Sequence, residues 1–220
     1  MGVRRFTMRG VAAAVREVER SEFPALARTF ARAFDDDPVM AWFLPNAKKR
    51  SARIERFFRD VELGGPFGRD GKVCATEGLA AGAVWLPPGK WRLGGRDQLR
   101  VVPQLLRNIS WRLLPSRAAG YQQIERHHPR QPLHWYLATL GTDPARQGQG
   151  LGSALLADQL ARCDAEGWPS YLESSKESNV PFYERHGFAA TETLDLPDGP
   201  RLWLMWRDPT PPSGNAGAAG

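Results

Sequence analysis

One stretch constrains the fold of this 220-residue chain more than any other: Leu140-Gly141-Thr142-Asp143-Pro144-Ala145-Arg146-Gln147-Gly148-Gln149-Gly150-Leu151-Gly152-Ser153. A β-like run over residues 133–140 leads into it. A helix-like run, Leu151–Glu166, leaves it, with Leu156, Leu160 and Cys163 on its apolar stripe. Glycines at alternate positions let the backbone approach a ligand closely and aim several N–H groups one way. A helix N-terminus adds about half a positive charge, so phosphate oxygens are its natural guests. The plainer reading is a glycine-rich surface turn. The spacing is not G-x-G-x-x-G, and no Lys-Ser or Lys-Thr follows the glycines. It is therefore neither a dinucleotide fingerprint nor a P-loop.

Around this stretch, short β-like and helix-like runs alternate, as in a mixed α/β domain. The pattern predicts a strand over residues 13–18 and a helix over residues 22–34 capped by Ser21, with Leu26, Phe30, Ala33 and Phe34 on one face. Asp35-Asp36-Asp37-Pro38 ends that helix. A second helix follows over residues 47–63, with Ile54, Phe57, Phe58 and Val61 as its stripe. Lys72–Thr76 and residues 80–86 form a hairpin around Glu77-Gly78, closed by Pro87-Pro88-Gly89. Residues 101–114 and 121–128 read as helical pieces. Beyond them come strand 133–140, helix Leu151–Glu166, strand Ser170–Ser174, helix 180–186 and two strands around Pro197-Asp198-Gly199-Pro200. Gly167 and Gly187 stand where a helix ends. Residues 1–10 read as a flexible basic leader and 209–220 as a flexible tail, leaving one domain over residues 11–208 with 90–130 as an insertion.

Hydrophobic residues make up 42% and charged residues 25%, ordinary for a globular protein. No run approaches the ~18 apolar residues of a membrane span. Phe6 stands where myristoylation needs Ser or Thr, and the apolar run after Arg4-Arg5 stops at Arg16, so the expected compartment is the cytoplasm. Cys74 and Cys163 are too few for a metal cluster or a disulfide scaffold and read as buried thiols. The net charge of +6 favours an anionic partner. Basic residues form no block and no helix-turn-helix pattern, which argues against nucleic acid.

Gln147, Gly150 and Gly152 match Q/R-x-x-G-x-G/A, and here the sequence resembles the GNAT superfamily of N-acetyltransferases. The resemblance continues through Glu173-Ser174-Ser175 and Asn179-Val180-Pro181-Phe182-Tyr183-Glu184-Arg185-His186-Gly187-Phe188. Over residues 135–207 it looks most like the puromycin N-acetyltransferase branch. It implies a central mixed, mostly antiparallel sheet of about seven strands with flanking helices, acetyl-CoA as co-substrate and no metal. It implies pyrophosphate binding by Gln147, Gly148, Gln149, Gly150, Leu151, Gly152 and Ser153. Pantetheine would align on the backbone of Leu140 and Thr142, near Asn179. Tyr183 would be the general acid. The acceptor it implies is the primary amine of a small molecule, aminonucleoside-like, with no nucleic acid or membrane partner and a monomer or homodimer. A coenzyme-A-binding sensor and a protein or peptide acceptor remain as alternatives.

The residues carry their own readings. Tyr183 is either a packed aromatic or a phenol that protonates a thiolate, its ordinary pKa of ~10 keeping it protonated. Asn179 suits a helix N-cap, a role compatible with a coenzyme contact. In the family the sequence resembles, some members place the base on the strand matching 133–140. Here that strand holds no Asp or Glu, so Glu173 becomes the candidate base, with a structural carboxylate as the equal alternative and His134 as a further candidate. An amine of low pKa needs no base at all. Asp35-Asp36-Asp37 could attract a cationic amine, although a solvated helix end is the commoner role. Trp42, Trp85, Trp91 and Trp135 could line a pocket or fill the core.

Overall fold

In the computed structural model, which describes residues 13–108 and 110–211, the β-like runs become one seven-stranded sheet. The leader (1–10) and residues 212–220 of the tail lie outside the described residues. β1 (Val15–Glu17) leads through a 3-10 turn into α1 (Phe23–Ala33). Ser21 does not cap α1, because it already lies inside that turn. Glu22 instead reaches back to the Glu19 N–H at 3.1 Å. Pro38 does more than end a helix. It opens α2 (Pro38–Phe43), since Asp37 caps this helix by accepting from the Met40 N–H at 2.9 Å.

α3 (Ala47–Arg56) continues as a π-helix over Phe57–Leu63, so the helix expected over residues 47–63 is one rod that changes pitch. α4 (Pro66–Asp70) follows, and β2 (Lys72–Thr76) and β3 (Ala81–Leu86) form the expected hairpin, with Gly78 at φ 72° in its turn. The next two helices are displaced from expectation: α5 is Gly95–Asn108 and α6 is Leu114–His127. A 3-10 turn at Trp111–Leu113 divides them where the apolar pattern ran on unbroken, and Pro115 marks the true start of α6. β4 (Trp135–Thr142), α7 (Leu151–Glu166), β5 (Ser170–Ser174), α8 (Val180–Glu184), β6 (Ala189–Asp195) and β7 (Arg201–Arg207) complete the chain.

The strand order is β1-β2-β3-β4-β5-β7-β6, antiparallel throughout except between β4 and β5. α7 covers one face over Trp85, Leu137, Leu172 and Met205. α1 and α3 cover the other over Phe30, Ile54, Phe58 and Val84. α1 comes so close that a Cβ on Gly82 would lie 2.6 Å from Leu26. Both cysteines are free and buried, and burial pushes the Cys74 thiol up to about 11. The four tryptophans share no pocket. Trp85 and Trp135 belong to the α7 core, Trp42 packs against β6 and β7, and Trp91 stacks on His128.

Candidate functional site

β4 and β5 start side by side and then part. Only Trp135↔Ser170 and Tyr136↔Tyr171 are paired, and β4 runs on to Thr142. A bulge bends β4 here: Val84 and Trp85 of β3 face Thr139 and Leu137, leaving Ala138 as the extra residue. The Asp143 N–H donates towards β3, to the Ala80 carbonyl at 2.8 Å. Backbone direction alternates along a strand, so the N–H groups of Thr142 and Leu140 point the opposite way, into the wedge between β4 and β5.

The loop beyond β4 closes one end of this wedge. Gly148 and Gly150 sit at φ 74° and 77°, which L side chains rarely adopt, and a Cβ on either would meet nothing within 4 Å. The space before them is open. The helical ladder of α7 begins with the Ala154 N–H on the Gly150 carbonyl (3.0 Å), so the N–H groups of Leu151, Gly152 and Ser153 lie ahead of it. Gln147 folds back, donating to the Thr142 carbonyl at 3.4 Å, and Gln149 accepts from Arg146 at 3.0 Å. Asp143 is the nearest carboxylate in the loop. Arg32 pairs with it at 2.7 Å and holds it below the usual carboxylate range. Free donors, a helix dipole and a neutralised acid fit a pyrophosphate.

α8 packs on the first turn of α7, with the Phe182 ring 3.4 Å from where a Gly152 Cβ would be. Tyr183 is 8% exposed, its ring against Phe182 and Phe188. Burial and then the Asp37 carboxylate push its phenol well above the ordinary value. The ring therefore packs, and the hydroxyl keeps its proton at neutral pH. Asp37 also accepts from the Ser175 hydroxyl, while Asp36 pairs with Lys176 at 2.7 Å. The acidic run docks on the end of β5. Asn179 is exposed and makes no capping hydrogen bond, because it ends a 3-10 turn and has αR backbone rather than the extended backbone of a cap.

Glu173 lies on β5 just past the point of parting. Its carboxylate meets His128 Nδ1 at 3.3 Å, and it adds to burial in holding the Tyr136 phenol well above the ordinary range. His134 lies on the far side of His128, Nε2 to Nε2 at 3.1 Å. These groups form a chain rather than converging on a point, and no cluster among the described residues is placed to hold a metal ion.

Sequence reasoning missed His128 and Glu62. Glu62 is 8% exposed, hydrogen-bonded by the Thr139 hydroxyl, and raised to about 7 by burial. Its signal was available: Ile54, Phe58 and Glu62 recur every four residues, putting a carboxylate on a buried stripe. His128 had no such signal, because nothing in the spacing of residues 90–130 pointed to it.

Residues 114–190 match the family model described as the acetyltransferase (GNAT) domain. Within that span, about a third of the chain, the sequence is similar to GNAT acetyltransferase domains. It is 25% identical over 202 residues to an uncharacterised N-acetyltransferase of Schizosaccharomyces pombe, covering 83% of this chain and 77% of that protein. It is 34% identical over 88 residues to the mycothiol acetyltransferase of Streptomyces avermitilis, a match covering 34% of this chain and 29% of that enzyme. A solved Corynebacterium glutamicum structure, described as histone acetyltransferase HPA2 and related acetyltransferase, shares the fold. Its TM-score is 0.66 at 23% identity, over 90% of this chain and 97% of that one.

Proposed function

We propose that the protein transfers the acetyl group of acetyl-CoA directly to the primary amine of a small molecule. The observation that carries this reading is the wedge between β4 and β5, with the N–H groups of Leu140 and Thr142 facing in. Glu173 stands beside it on β5 and Tyr183 on α8. The loop Gln147–Ser153 holds the pyrophosphate, with Asn179 beside the coenzyme. Leu140 and Thr142 align pantetheine and polarise the thioester carbonyl through backbone donors. Glu173 takes one proton from the ammonium form of the acceptor. The amine nitrogen then forms its bond to carbon as the C–S bond breaks. Tyr183 gives its proton to sulfur and regains one from nitrogen through solvent, so one proton is released per turnover.

Residues 87–134 favour a small acceptor over a peptide. His128 folds onto Glu173 with Trp91 stacked on it, while Leu93 lines a cavity of about 50 Å³ beside Phe57 and Glu62. The local match to a mycothiol acetyltransferase and the resemblance to puromycin N-acetyltransferases point the same way, the latter towards an aminonucleoside-like amine. The proposal includes a cytoplasmic monomer or homodimer without nucleic-acid or membrane partners. Among the described residues, no helix is long and apolar enough to cross a membrane.

Thiol release from acetyl-CoA, followed over small amines, aminonucleosides and peptides, tests the reading. Turnover with small amines is expected. Coenzyme binding with no turnover across the panel would make this a sensor, and turnover with peptides alone would move the acceptor to proteins.

A further inference from the structure

The segment between β3 and β4 brings the His128 ring onto Glu173 and stacks Trp91 on that ring, an arrangement no motif announced. His128 is 3% exposed and lies between the Glu173 carboxylate (3.3 Å from Nδ1) and His134 (3.1 Å between Nε2 atoms). Trp91 stacks on the His128 ring, centroids 3.9 Å apart and planes 19° from parallel. Tyr136 and Tyr171 present themselves edge-on from β4 and β5. The titratable groups facing this imidazole are therefore Glu173, His134, Tyr136 and Tyr171.

Hydrogen-bond direction fixes the protons. The Pro132 carbonyl, 2.9 Å from His134 Nδ1, can only accept, so that nitrogen carries hydrogen. Burial pushes His134 down, which keeps it neutral and leaves its Nε2 as an acceptor. His128 Nε2 must then donate. What remains is the contact between His128 Nδ1 and Glu173, where a lone pair on each side leaves room for one proton. Without it, lone pairs face each other. With it, every contact has one donor and one acceptor.

We propose that His128 holds the proton that Glu173 removes from the acceptor ammonium, with His134 and Trp91 as positioning residues. The inference rests on the acetyl-transfer reading above. The N–H bond of the ammonium breaks and its electron pair stays on nitrogen. The proton passes through the Glu173 carboxylate to His128 Nδ1, and the imidazolium returns it to solvent after transfer. The Trp91 face stabilises that cation, as aromatic faces do for stacked cations. The insertion is thus part of the proton path.

Two measurements on the full chain test this. In ¹⁵N-histidine-labelled protein, long-range ¹H–¹⁵N NMR should show His134 as the neutral Nδ1–H tautomer throughout, with His128 exchanging between Nε2–H and imidazolium. A charged His134 or an Nδ1–H neutral His128 would overturn the proposal, whatever the enzyme acetylates. In kinetics, His128→Gln should lower acceptor kcat/KM about 10²-fold at pH 6.5, the lower end of the range for positioned proton-transfer groups. The loss should shrink as pH approaches the amine's own pKa, with the KM for acetyl-CoA unchanged. A loss of the same size at every pH, or none, would refute it. Trp91→Leu should reproduce the pH shape with a several-fold loss and serves if the first variant does not fold. If the unaltered enzyme turns over no amine, the acetyl-transfer reading fails and the tautomer measurement decides the proton chain alone.

Discussion

The two sides of the β4–β5 wedge are built differently. The coenzyme side comes from contiguous chain, β4 through α8, and its key features follow from local rules. Positive φ requires Gly148 and Gly150, a helix start leaves three N–H groups free, and strand alternation aims Leu140 and Thr142. The side proposed for the acceptor is assembled from distant segments. Glu62 meets Thr139 across 77 positions, His128 meets Glu173 across 45, and Asp37 meets Ser175 across 138. Binding of a shared coenzyme can be written in a few consecutive residues. The contacts of Glu62, His128 and Asp37 depend on which side chains long-range packing brings together.

Gly150→Glu should have the largest effect and be confined to the coenzyme side. It places a carboxylate where phosphate is expected, on backbone at φ 77°. A Cβ there is unobstructed, so the fold should survive at a strain cost of order 1–3 kcal/mol. Calorimetry should find acetyl-CoA binding lost. Near-normal affinity in the folded variant would detach the loop from coenzyme binding and dissolve the contrast between the two sides.

Next is Tyr183→Phe, which keeps the ring among Phe182 and Phe188 and removes only the proton. Its kcat should fall ~10²–10⁴-fold, with stability and the KM for acetyl-CoA nearly unchanged. A donor with a more acidic thiol should recover part of the rate. Turnover at the unaltered rate would assign the sulfur's proton to another group.

Glu62→Gln acts on the acceptor side alone. Burial raises this carboxyl from 4.5 to about 7, so between those values the folded protein holds a proton that the unfolded chain releases. Stability from this group is therefore full below pH ~4.5 and falls as pH rises through ~7, by on the order of 3 kcal/mol. Chemical denaturation at pH 5 and pH 8 should show that decline in the unaltered protein and a smaller one in the variant. Equal declines would mean that Glu62 stays hydrated.

The smallest effect is expected from Asn179→Ala. A capping Asn contributes roughly 1 kcal/mol, but Asn179 makes no cap bond, so the loss of stability should stay below about 0.5 kcal/mol. Any larger change would then have to appear in acetyl-CoA affinity. A full 1 kcal/mol loss without coenzyme would restore the cap read from the sequence.

Many of these elements were legible because their signals are local. α7 and β5 begin and end where periodicity and flanking glycine put them, and the β2–β3 hairpin formed around Gly78. Local signals also misled where two of them competed. Asp37 caps a new helix at Pro38 instead of only ending the previous one, and Trp111–Leu113 interrupts an apolar pattern that reads as continuous. Glu62 stood on a visible stripe and was still passed over, since a lone carboxylate there looks like a solvated position until the sheet is packed against it.

The sequence by itself determined the local pieces: glycines at left-handed positions, a strand that leads through a short loop into a 16-residue helix, and a short helix carrying Tyr183. Tertiary structure alone decided what else surrounds Glu173. Only folding takes Trp91, His128 and His134 out of water and lines their polar atoms up, and hydrogen-bond direction has consequences only once every neighbour is fixed. A solvated His populates both neutral tautomers; in the folded protein, the Pro132 carbonyl holds His134 as Nδ1–H.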